Sequence, residues 1–219
     1  MNANMRGIFI TFEGIEGSGK STLINNMAAA LRRVGQDPLI TREPGGTSLG
    51  VALRKVLLNP EMEKLGSMAE LMLFVADRAQ HVSQVILPAL EAGQIVLCDR
   101  YSDATIAYQG HGRGIPLDVI TAIDNYARNE AVPHMTILLD LSAETGLTRA
   151  RTRNRESMDS SESRIDEETM AFHQRVRDGY LMLADQEPER FLVLDAREKP
   201  DRMTELVMDG FRSRFPDAV

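Results

Sequence analysis

The chain has 219 residues, 43% of them apolar and 26% charged, and its 25 basic and 32 acidic side chains leave a net charge of −7. This length suits one well-buried domain over residues 1–219 and is short for two. The acidic balance argues against general nucleic-acid binding, because a phosphate polymer is attracted to basic surfaces. We therefore expect no nucleic-acid partner, and a bound anion must be held at a local basic site.

The chain contains one cysteine, Cys98, which excludes an internal disulfide and fits a reducing compartment. Its longest apolar stretches are far shorter than a bilayer-spanning helix requires. A strand-like run starts at Gly7, so we expect no N-terminal signal peptide. Together these features predict a soluble, cytoplasmic protein without a membrane partner.

Short apolar runs alternate with longer helical patterns along the chain. The runs predict strands at residues 7–12, 38–41, 94–98, 134–139 and 191–194, and the patterns predict helices at 23–34, 67–92, 116–131, 166–184 and 200–215, with one more after Ser142. Ser67 and Glu70 have the spacing of a capping box at the start of the second helix. Strands separated by helices predict an α/β fold in three layers, a five-stranded parallel sheet with helices on both faces. Ligands in such sheets bind at the carboxyl ends of the strands.

A glycine-rich loop joins the first predicted strand to the first helix. It reads Gly14-Ile15-Glu16-Gly17-Ser18-Gly19-Lys20-Ser21, and Thr22 follows it. Glycines let backbone N–H groups surround phosphate oxygens, and the helix N-terminus adds partial positive charge. In this pattern the lysine reaches the β- and γ-phosphates and the serine hydroxyl can ligate Mg²⁺. The loop predicts a P-loop NTPase that binds a nucleoside triphosphate with Mg²⁺, and the strand–loop–helix context disfavours an empty glycine-rich turn.

Other features of the chain favour one class of P-loop protein over the others. It has no Asn-Lys pair to read guanine and no Asp-x-x-Gly switch, which disfavours a GTPase. Motor ATPases usually need larger domains and a basic path for a polymer. A small-molecule kinase needs a second anion site opposite the first, together with cations that neutralise the transferring group. The chain offers residues for both.

Asp99 and Arg100 end the third predicted strand. Asp99 stands where a Walker-B carboxylate would hold Mg²⁺, and Arg100 is placed to bind a phosphate through two nitrogens. Arg42 and Arg54 could join the same acceptor-phosphate site. The alternative is a structural ion pair at the end of a strand.

Phe74 and Arg78 lie four residues apart on the predicted helix 67–92, so they share a face. An aromatic ring can stack on a nucleobase, and a guanidinium beside it can donate to the carbonyl edge of that base. Taken alone, the pair is better explained as a core residue and a surface cation. It becomes informative only beside the other motifs.

Arginines recur at every second position in residues 149–155, and a polar, serine-rich stretch follows up to Arg164. This pattern predicts an arginine-rich lid at about residues 149–164. Lid arginines can close over phosphates and neutralise charge in the transition state. A solvated charged loop explains any single arginine equally well, but it explains the whole cluster poorly in an acidic protein.

Four sequence blocks together resemble one family, and the resemblance extends over nearly the whole chain. They are Phe12-Glu13-Gly14, Thr41-Arg42-Glu43-Pro44-Gly45-Gly46-Thr47, Leu73-Phe74-Val75-Ala76-Asp77-Arg78, and Asp99-Arg100-Tyr101 continuing to Ala107-Tyr108-Gln109-Gly110. This set is similar to that of the thymidylate kinases, while other nucleoside monophosphate kinases share the fold but not the set. The resemblance implies the reaction ATP + dTMP → ADP + dTDP with Mg²⁺, on the route to dTTP, in a homodimer.

The resemblance also implies the acceptor site. Phe74 would stack on thymine, and Arg78 would donate to its O4, which selects a keto pyrimidine over cytosine. Tyr108 would crowd a ribose 2′-hydroxyl and favour deoxyribose. Pro44 would lie in a tight turn whose peptide can be cis. The other implied dTMP contacts are Glu13 (near the sugar hydroxyl or the magnesium shell), Glu43, Arg54, Arg100, Thr105 and Gln109.

Catalysis would combine Lys20 and Arg100 with one further arginine that meets the transferring phosphoryl group. The family carries that arginine either in the phosphate loop or on the lid, and the loop interior here has none. The sequence therefore resembles the bacterial lid-arginine type. Arg153 is the first choice for this role, and Arg149 and Arg151 are the alternatives.

Two other functions stay open at this stage. The chain could prefer another nucleoside monophosphate or a deoxynucleoside as the acceptor. It could also be a nucleotide-binding regulator that retains the fold without turnover. The arginines assigned to an acceptor phosphate argue against a deoxynucleoside, and the intact Lys20, Ser21 and Asp99 argue against a silent regulator.

Overall fold

The computed structural model describes residues 7–61, 65–156 and 163–218, without the side chains of residues 153–156 and 163. Five parallel strands form one sheet in the order β2-β3-β1-β4-β5. Their bounds are Ile8–Glu13 (β1), Leu39–Arg42 (β2), Ile95–Asp99 (β3), Met135–Asp140 (β4) and Phe191–Asp195 (β5). The predicted five-stranded parallel sheet is confirmed.

Each strand ends one residue beyond its predicted apolar run. The added residues are polar: Glu13, Arg42, Asp99, Asp140 and Asp195. They still pair with a neighbouring strand, as Arg42 does with Asp99 and Asp140 with Asp195. The difference arises because the sheet ladder depends on backbone groups, whereas the prediction followed side-chain hydropathy. Its consequence is that charged side chains line the carboxyl edge of the sheet.

Ten α-helices lie in the described ranges. They are Lys20–Arg33 (α1), Ser48–Leu58 (α2), Ser67–His81 (α3), Leu87–Glu91 (α4), Ser102–Thr105 (α5), Leu117–Arg128 (α6), Ala143–Glu156 (α7), Ser163–Asp166 (α8), Met170–Gln186 (α9) and Pro200–Arg214 (α10). A π-helical turn, Val82–Ile86, joins α3 to α4, so the predicted helix 67–92 is confirmed with a distortion in its middle. A second π-helical segment, Ile106–Gly112, follows α5. The sequence patterns did not predict α2, α5 or this second segment.

The helix starts show two departures from the predictions. The capping-box prediction is wrong, because Gly66 is the N-cap of α3 without a side-chain cap, and Glu70 is buried and bound to arginines instead. Helix α9 begins at Met170 rather than at residue 166, because the Thr169 hydroxyl accepts from the Phe172 N–H. Ser142 behaves as predicted, since its hydroxyl accepts from the Thr145 N–H at the start of α7.

The side chains on the two faces of β1 pack into different parts of the hydrophobic core. Ile10 and Phe12 pack with α1, α9 and α10, whereas Phe9 packs on the other face against the π-helical turn and α4. Cys98 is buried in that second cluster as a free thiol, as predicted for a core residue. Each large apolar side chain buried in this way stabilises the fold by roughly 1.5–3 kcal/mol. No helix in the described ranges is long and apolar enough to cross a membrane.

Candidate active site

The glycine-rich loop lies between the carboxyl end of β1 and the start of α1. Gly14, Gly17 and Gly19 all have positive φ values, of 134°, 71° and 93°. A Cβ at Gly14 would approach the Leu139 carbonyl oxygen to 2.5 Å, and one at Gly17 would approach the Gly146 carbonyl oxygen to 2.3 Å. Side chains at these positions would be both strained and in collision. The loop conformation therefore requires its glycines.

Lys20 is buried at the first position of α1, with its ammonium group inside the loop. Its Nζ donates to the carbonyl oxygens of Gly14 (2.9 Å) and Ile15 (3.1 Å) and to the Ser18 hydroxyl (3.4 Å). Burial, followed by the nearby Arg100 charge, lowers the pKa of Lys20 to about 8, although Asp99 and Glu16 oppose that shift. A phosphate bound in the loop would place negative charge beside the Lys20 ammonium group and would thereby stabilise its charged form.

Ser21 and Asp99 place two oxygen ligands at the edge of the loop. The Ser21 hydroxyl donates to Asp99 Oδ2 across 3.2 Å, which brings the end of β3 against the start of α1. A hydroxyl and a carboxylate are the hard oxygen donors that Mg²⁺ prefers. The pair therefore fits the predicted magnesium site, with the remaining ligands to come from phosphate and water.

A cavity of about 380 Å³ opens between the loop and helix α3. Most of the predicted site residues border it. They are Glu16, Gly17, Ser18, Gly19, Lys20, Ser21, Thr22, Arg42, Glu43, Pro44, Arg54, Phe74, Arg78, Asp99, Arg100, Thr105, Tyr108, Gln109 and Arg149. Four predicted residues do not border it: Glu13, Gly14, Ile15 and Arg151. The side chain of Arg153 lies outside the described residues.

Arg100 borders the cavity and contacts the phosphate loop. Its guanidinium donates to Glu16 Oε1 (2.9 Å) and to the Tyr180 hydroxyl (3.3 Å), and it stacks 4.8 Å above the ring of Tyr108. Tyr108 donates its hydroxyl to the same Glu16 oxygen at 2.6 Å. The arginine that the sequence assigned to an acceptor phosphate is therefore in direct contact with the phosphate loop.

Glu16 borders the cavity, whereas Glu13 is fully buried and does not. Burial raises the pKa of Glu16, but Arg100, His173 and Lys20 lower it more, and the net value is well below the usual range. Glu16 Oε2 lies 3.3 Å from the Nδ1 atom of His173. Glu16 is therefore an ionised group between the loop and the acceptor end, and the sequence patterns assigned it only to ATP binding.

Arg78 is buried, with 1% of its surface exposed, so it is not a surface cation. It donates to Glu43 Oε2 (2.9 Å) and to Asp124 Oδ1 (2.5 Å). These two contacts fix the plane of the guanidinium group at the end of the cavity. Phe74, one helical turn earlier, borders the same end. The structure therefore brings the predicted base-reading pair together.

The turn after β2 supplies a further wall of the cavity. The peptide between Glu43 and Pro44 is cis, as the resemblance suggested. Arg54 of α2 donates to the Pro44 carbonyl oxygen at 3.1 Å, which holds that guanidinium beside the turn. Glu43 also accepts from the His81 ring at 2.9 Å, so the carboxylate bridges two residues of α3. Arg42, Arg54 and Arg100 all border the cavity.

Glu70 forms a buried network that the sequence patterns missed. It accepts hydrogen bonds from Gln109 (2.9 Å), Arg113 (3.1 Å) and Arg164 (2.8 Å). Arg164 also donates to the Leu57 carbonyl oxygen at 2.5 Å, and this holds α8 against α2 and α3. Residues 165 and 166 of α8 border the cavity as a result. In the sequence, Glu70 is marked only by its place in the first turn of α3, where an acidic residue also fits a helix cap.

The predicted lid begins on a helix. Helix α7 extends to Glu156, so Arg149 and Arg151 lie on the helix. Both are exposed, but Arg149 borders the cavity and donates to the Ala196 carbonyl oxygen at 3.1 Å, whereas Arg151 does not border the cavity. Residues 157–162 of the predicted lid lie outside the described residues.

The comparisons with known proteins agree with this geometry. The thymidylate kinase family profile matches residues 12–207. The thymidylate kinase of Desulfovibrio desulfuricans is 52% identical over 195 residues, covering 89% of this chain and 90% of that protein. The thymidylate kinase of Trichlorobacter lovleyi is 51% identical over 208 residues, covering 95% and 98%.

A solved structure shows the same fold. The crystal structure of thymidylate kinase from Ehrlichia chaffeensis superposes with a TM-score of 0.75 and 31% sequence identity. The superposition covers 94% of this chain and 98% of that one. Sequence similarity, fold and site geometry therefore agree, and the chain belongs to the thymidylate kinase family.

Proposed function

We infer that the chain phosphorylates dTMP to dTDP with ATP, a step on the route to dTTP, and that the residues around its cavity carry out the transfer. The observation that supports this most directly is the position of Arg100. It borders the same cavity as the phosphate loop and the pair Phe74 and Arg78, and its guanidinium contacts Glu16 of the loop. One cavity thus offers a donor site, an acceptor site and a cation in contact with the donor loop. The family match does not favour the alternative acceptors or a silent regulator.

At the donor end, the loop Gly14–Ser21 and Thr22 would bind the triphosphate of ATP. Backbone N–H groups of the loop and the α1 N-terminus would hold its oxygens, and Lys20 would exchange its loop carbonyl partners for phosphate. Ser21 and Asp99 would hold Mg²⁺, which when bound adds positive charge to the phosphate oxygens.

At the acceptor end, the base of dTMP would stack on Phe74 and receive a hydrogen bond from Arg78 at its O4 atom. Because Glu43 and Asp124 hold two nitrogens of Arg78, its donor direction is set before the base arrives. A cytosine amino group would meet this donor unfavourably, so thymine is selected. The contacts proposed for the rest of the nucleotide are Glu43, Pro44, Arg54, Arg100, Thr105, Tyr108 and Gln109.

The sugar is the one part of dTMP for which the structure supports a different residue from the sequence. Glu13 is fully buried, whereas Glu16 borders the cavity beside Tyr108. We therefore propose Glu16 as the partner of a deoxyribose hydroxyl. Tyr108 lies against the same carboxylate, where it would leave little room for a ribose 2′-hydroxyl.

The transfer itself would be a direct displacement in line. An oxygen of the dTMP phosphate attacks the γ-phosphorus of ATP, the bond from that phosphorus to the bridging oxygen breaks, and ADP leaves with the electron pair. The attacking oxygen already carries negative charge, so no strong general base is needed. Lys20, Arg100 and a lid arginine would stabilise the charge on the transferring group. Arg153, Arg149 and Arg151 are the proposed lid residues, in that order.

One experiment tests this function. ADP release is measured with dTMP, dUMP, dCMP, dGMP and thymidine as acceptors, for the native chain and for Lys20→Ala. We expect dTMP to be the best acceptor and Lys20→Ala to lose most turnover while it keeps its Tm. Another best acceptor would replace dTMP in the proposal, no release with any acceptor would favour a binding protein, and a near-normal kcat for Lys20→Ala would contradict the assignment of the loop.

Two further proposals concern the molecule's surroundings. We propose a homodimer, because helix α3 carries exposed apolar side chains at Met68 and Met72 and the neighbouring α6 exposes Tyr126. We also propose a cytoplasmic location, which rests on the single reduced Cys98.

A further inference from the structure

Glu13 ends β1 directly before the phosphate loop, and its carboxyl group is fully buried. It does not border the cavity, so it has no path to a bound nucleotide. Its two oxygens are instead bound to the protein. Oε1 accepts from the Tyr101 backbone N–H (2.8 Å), and Oε2 accepts from the Tyr180 hydroxyl (2.7 Å). Both donors are next to Arg100, one in sequence and one in space.

The first of these bonds acts on the backbone of Arg100. Arg100 has a φ of 70°, in the left-handed region, which only one other non-glycine residue adopts in the described ranges. A side chain disfavours this conformation, so the surrounding structure must hold it. The Arg100 N–H donates to the Phe12 carbonyl oxygen (3.0 Å), and the following N–H, of Tyr101, donates to Glu13. Hydrogen bonds to β1 therefore hold the turn on both sides of its strained residue.

The second bond acts on the head group of Arg100. Its guanidinium donates to the Tyr180 hydroxyl at 3.3 Å, and that hydroxyl donates to Glu13 at 2.7 Å. Tyr180 is itself buried on α9. The guanidinium is thus held on one side by Glu16, which borders the cavity, and on the other by Tyr180 with Glu13 behind it.

We propose that Glu13 is a positioning residue for phosphoryl transfer, which holds Arg100 in its left-handed turn and fixes the guanidinium group through Tyr180 without touching substrate. This inference rests on the proposed role of Arg100 at the acceptor phosphate. It assigns to Glu13 a role different from contact with the sugar or with magnesium. It also assigns Tyr180, which no sequence motif marked, to the same unit.

Glutamine is a close substitute for Glu13 in this role. Burial, followed by the nearby Asp103 charge, raises the pKa of Glu13 to about 8, although Arg100, Tyr180 and Tyr101 oppose that shift. A glutamine amide has the size of the carboxyl group and can accept from the Tyr101 N–H with its oxygen. Its nitrogen can donate to the Tyr180 oxygen, in place of the bond that Tyr180 donates to Glu13 in the native chain. Alanine can do neither.

The test is a double-mutant cycle between Glu13 and Arg100, read as the Kd for dTMP, the KM for dTMP and ATP, and kcat. We expect Glu13→Ala to weaken dTMP binding by roughly tenfold and to change the KM for ATP much less, and Glu13→Gln to remain near the native values. Tyr180→Phe should lie between them. In the Arg100→Ala background, Glu13→Ala should add almost nothing, because the two residues act through one interaction.

Leu31→Ala is the matched control, since Leu31 is fully buried in the core and lies at the far end of α1 from the loop. It should lower the Tm and leave the KM for dTMP unchanged, which separates lost stability from lost positioning. If Glu13→Ala does not fold, Glu13→Gln and Tyr180→Phe still test the proposal.

Three results would overturn the inference. They are native dTMP binding by Tyr180→Phe, equal losses in Glu13→Gln and Glu13→Ala, and additive losses in the double variant. If Arg100→Ala alone binds dTMP normally, the proposed role of Arg100 fails first, and the inference about Glu13 fails with it. That result is distinguishable because it appears in the single Arg100 variant.

Discussion

At the residue scale, we expect the charge of the Lys20 side chain to depend on nucleotide binding. In the free protein it donates to loop carbonyl oxygens, and burial lowers its pKa to about 8 from an ordinary value of 10.5. A group whose pKa is lower in the folded chain than in the unfolded chain binds fewer protons when folded, whether it is an acid or a base. Between about pH 8 and pH 10.5 the unfolded chain keeps the Lys20 proton and the folded chain does not, so this group makes stability rise with pH in that window.

Nucleotide affinity should have the opposite dependence on pH. A triphosphate binds the charged form of Lys20, so ATP affinity is constant below about pH 8 and falls above it by up to about tenfold per pH unit. Calorimetry with a non-hydrolysable ATP analogue in buffers of different ionisation enthalpy measures both the Kd and the proton uptake. Between about pH 7 and pH 9 the phosphates are already ionised and do not contribute to the change.

Two variants identify the group responsible. Lys20→Met should bind weakly at every pH, with no inflection near pH 8. Glu13→Gln should keep the inflection, because Glu13 also titrates near pH 8 but does not border the cavity. Affinity that is constant through pH 8 in the native chain would contradict the prediction.

At the scale of elements, the acceptor end of the site depends on irregular helices. Thr105 ends α5, and Tyr108 and Gln109 lie in the π-helical segment that follows it. Such segments occur often at functional sites, because a wider turn redirects side chains that a regular helix would space evenly. Here the segment directs Tyr108 toward Glu16 and Gln109 toward Glu70. A hydropathy pattern has no feature that predicts this local change of pitch.

Helix α7 carries the proposed lid arginines, and the helical repeat determines which of them share a face. Positions 149 and 153 are one turn apart and share a face of the helix, whereas 151 lies on a different face. We predict that Arg153→Ala lowers kcat by roughly three to five orders of magnitude and changes the Kd for dTMP little. Arg149→Ala and Arg151→Ala are the matched controls in single-turnover assays. If either of these loses kcat instead, that residue supplies the charge.

At the scale of the whole molecule, the sheet order explains why one cavity holds both substrates. Strand β1 is central, between β3 and β4, so the phosphate loop after β1 and the Asp99–Arg100 turn after β3 meet at the same edge. Helices α2 and α3 cover this edge from the side of β2 and bring Arg54 and Arg78 to it. An acidic chain thereby concentrates its functional cations in one place, where they attract two anionic nucleotides.

The proposed homodimer is also a whole-molecule property. Met68, Met72, Ala76 and Ala79 are exposed along one face of α3, at the helical repeat expected of a buried stripe. We predict that the native chain sediments as a dimer at micromolar concentration and that Met72→Glu shifts it toward monomer. Met182→Glu is the control, because Met182 on α9 is similarly exposed, at 47% against 46% for Met72. A native monomer, or an equal effect of both substitutions, would contradict the dimer.

The order of the five strands and of most long helices, the parallel sheet, the phosphate loop and most residues of the cavity could be predicted from the sequence alone. These follow from local rules, since alternation of apolar and polar residues reports which side of an element is buried, and a glycine-rich loop between strand and helix has few other uses. The residues of the phosphate loop and the Asp99–Arg100 pair could be predicted for the same reason, because each follows an apolar run that predicts a strand.

The contacts among these groups could not be predicted and are seen only in the folded chain. The tertiary structure placed Glu16 at the border of the cavity and buried Glu13 away from it, although both are acids at the same end of β1. It also bound Glu70 to Arg164, 94 positions along the chain, rather than to the start of its own helix. The reason is physical: a buried charge must be paired, and its partner is chosen by packing between distant elements, which no local pattern records.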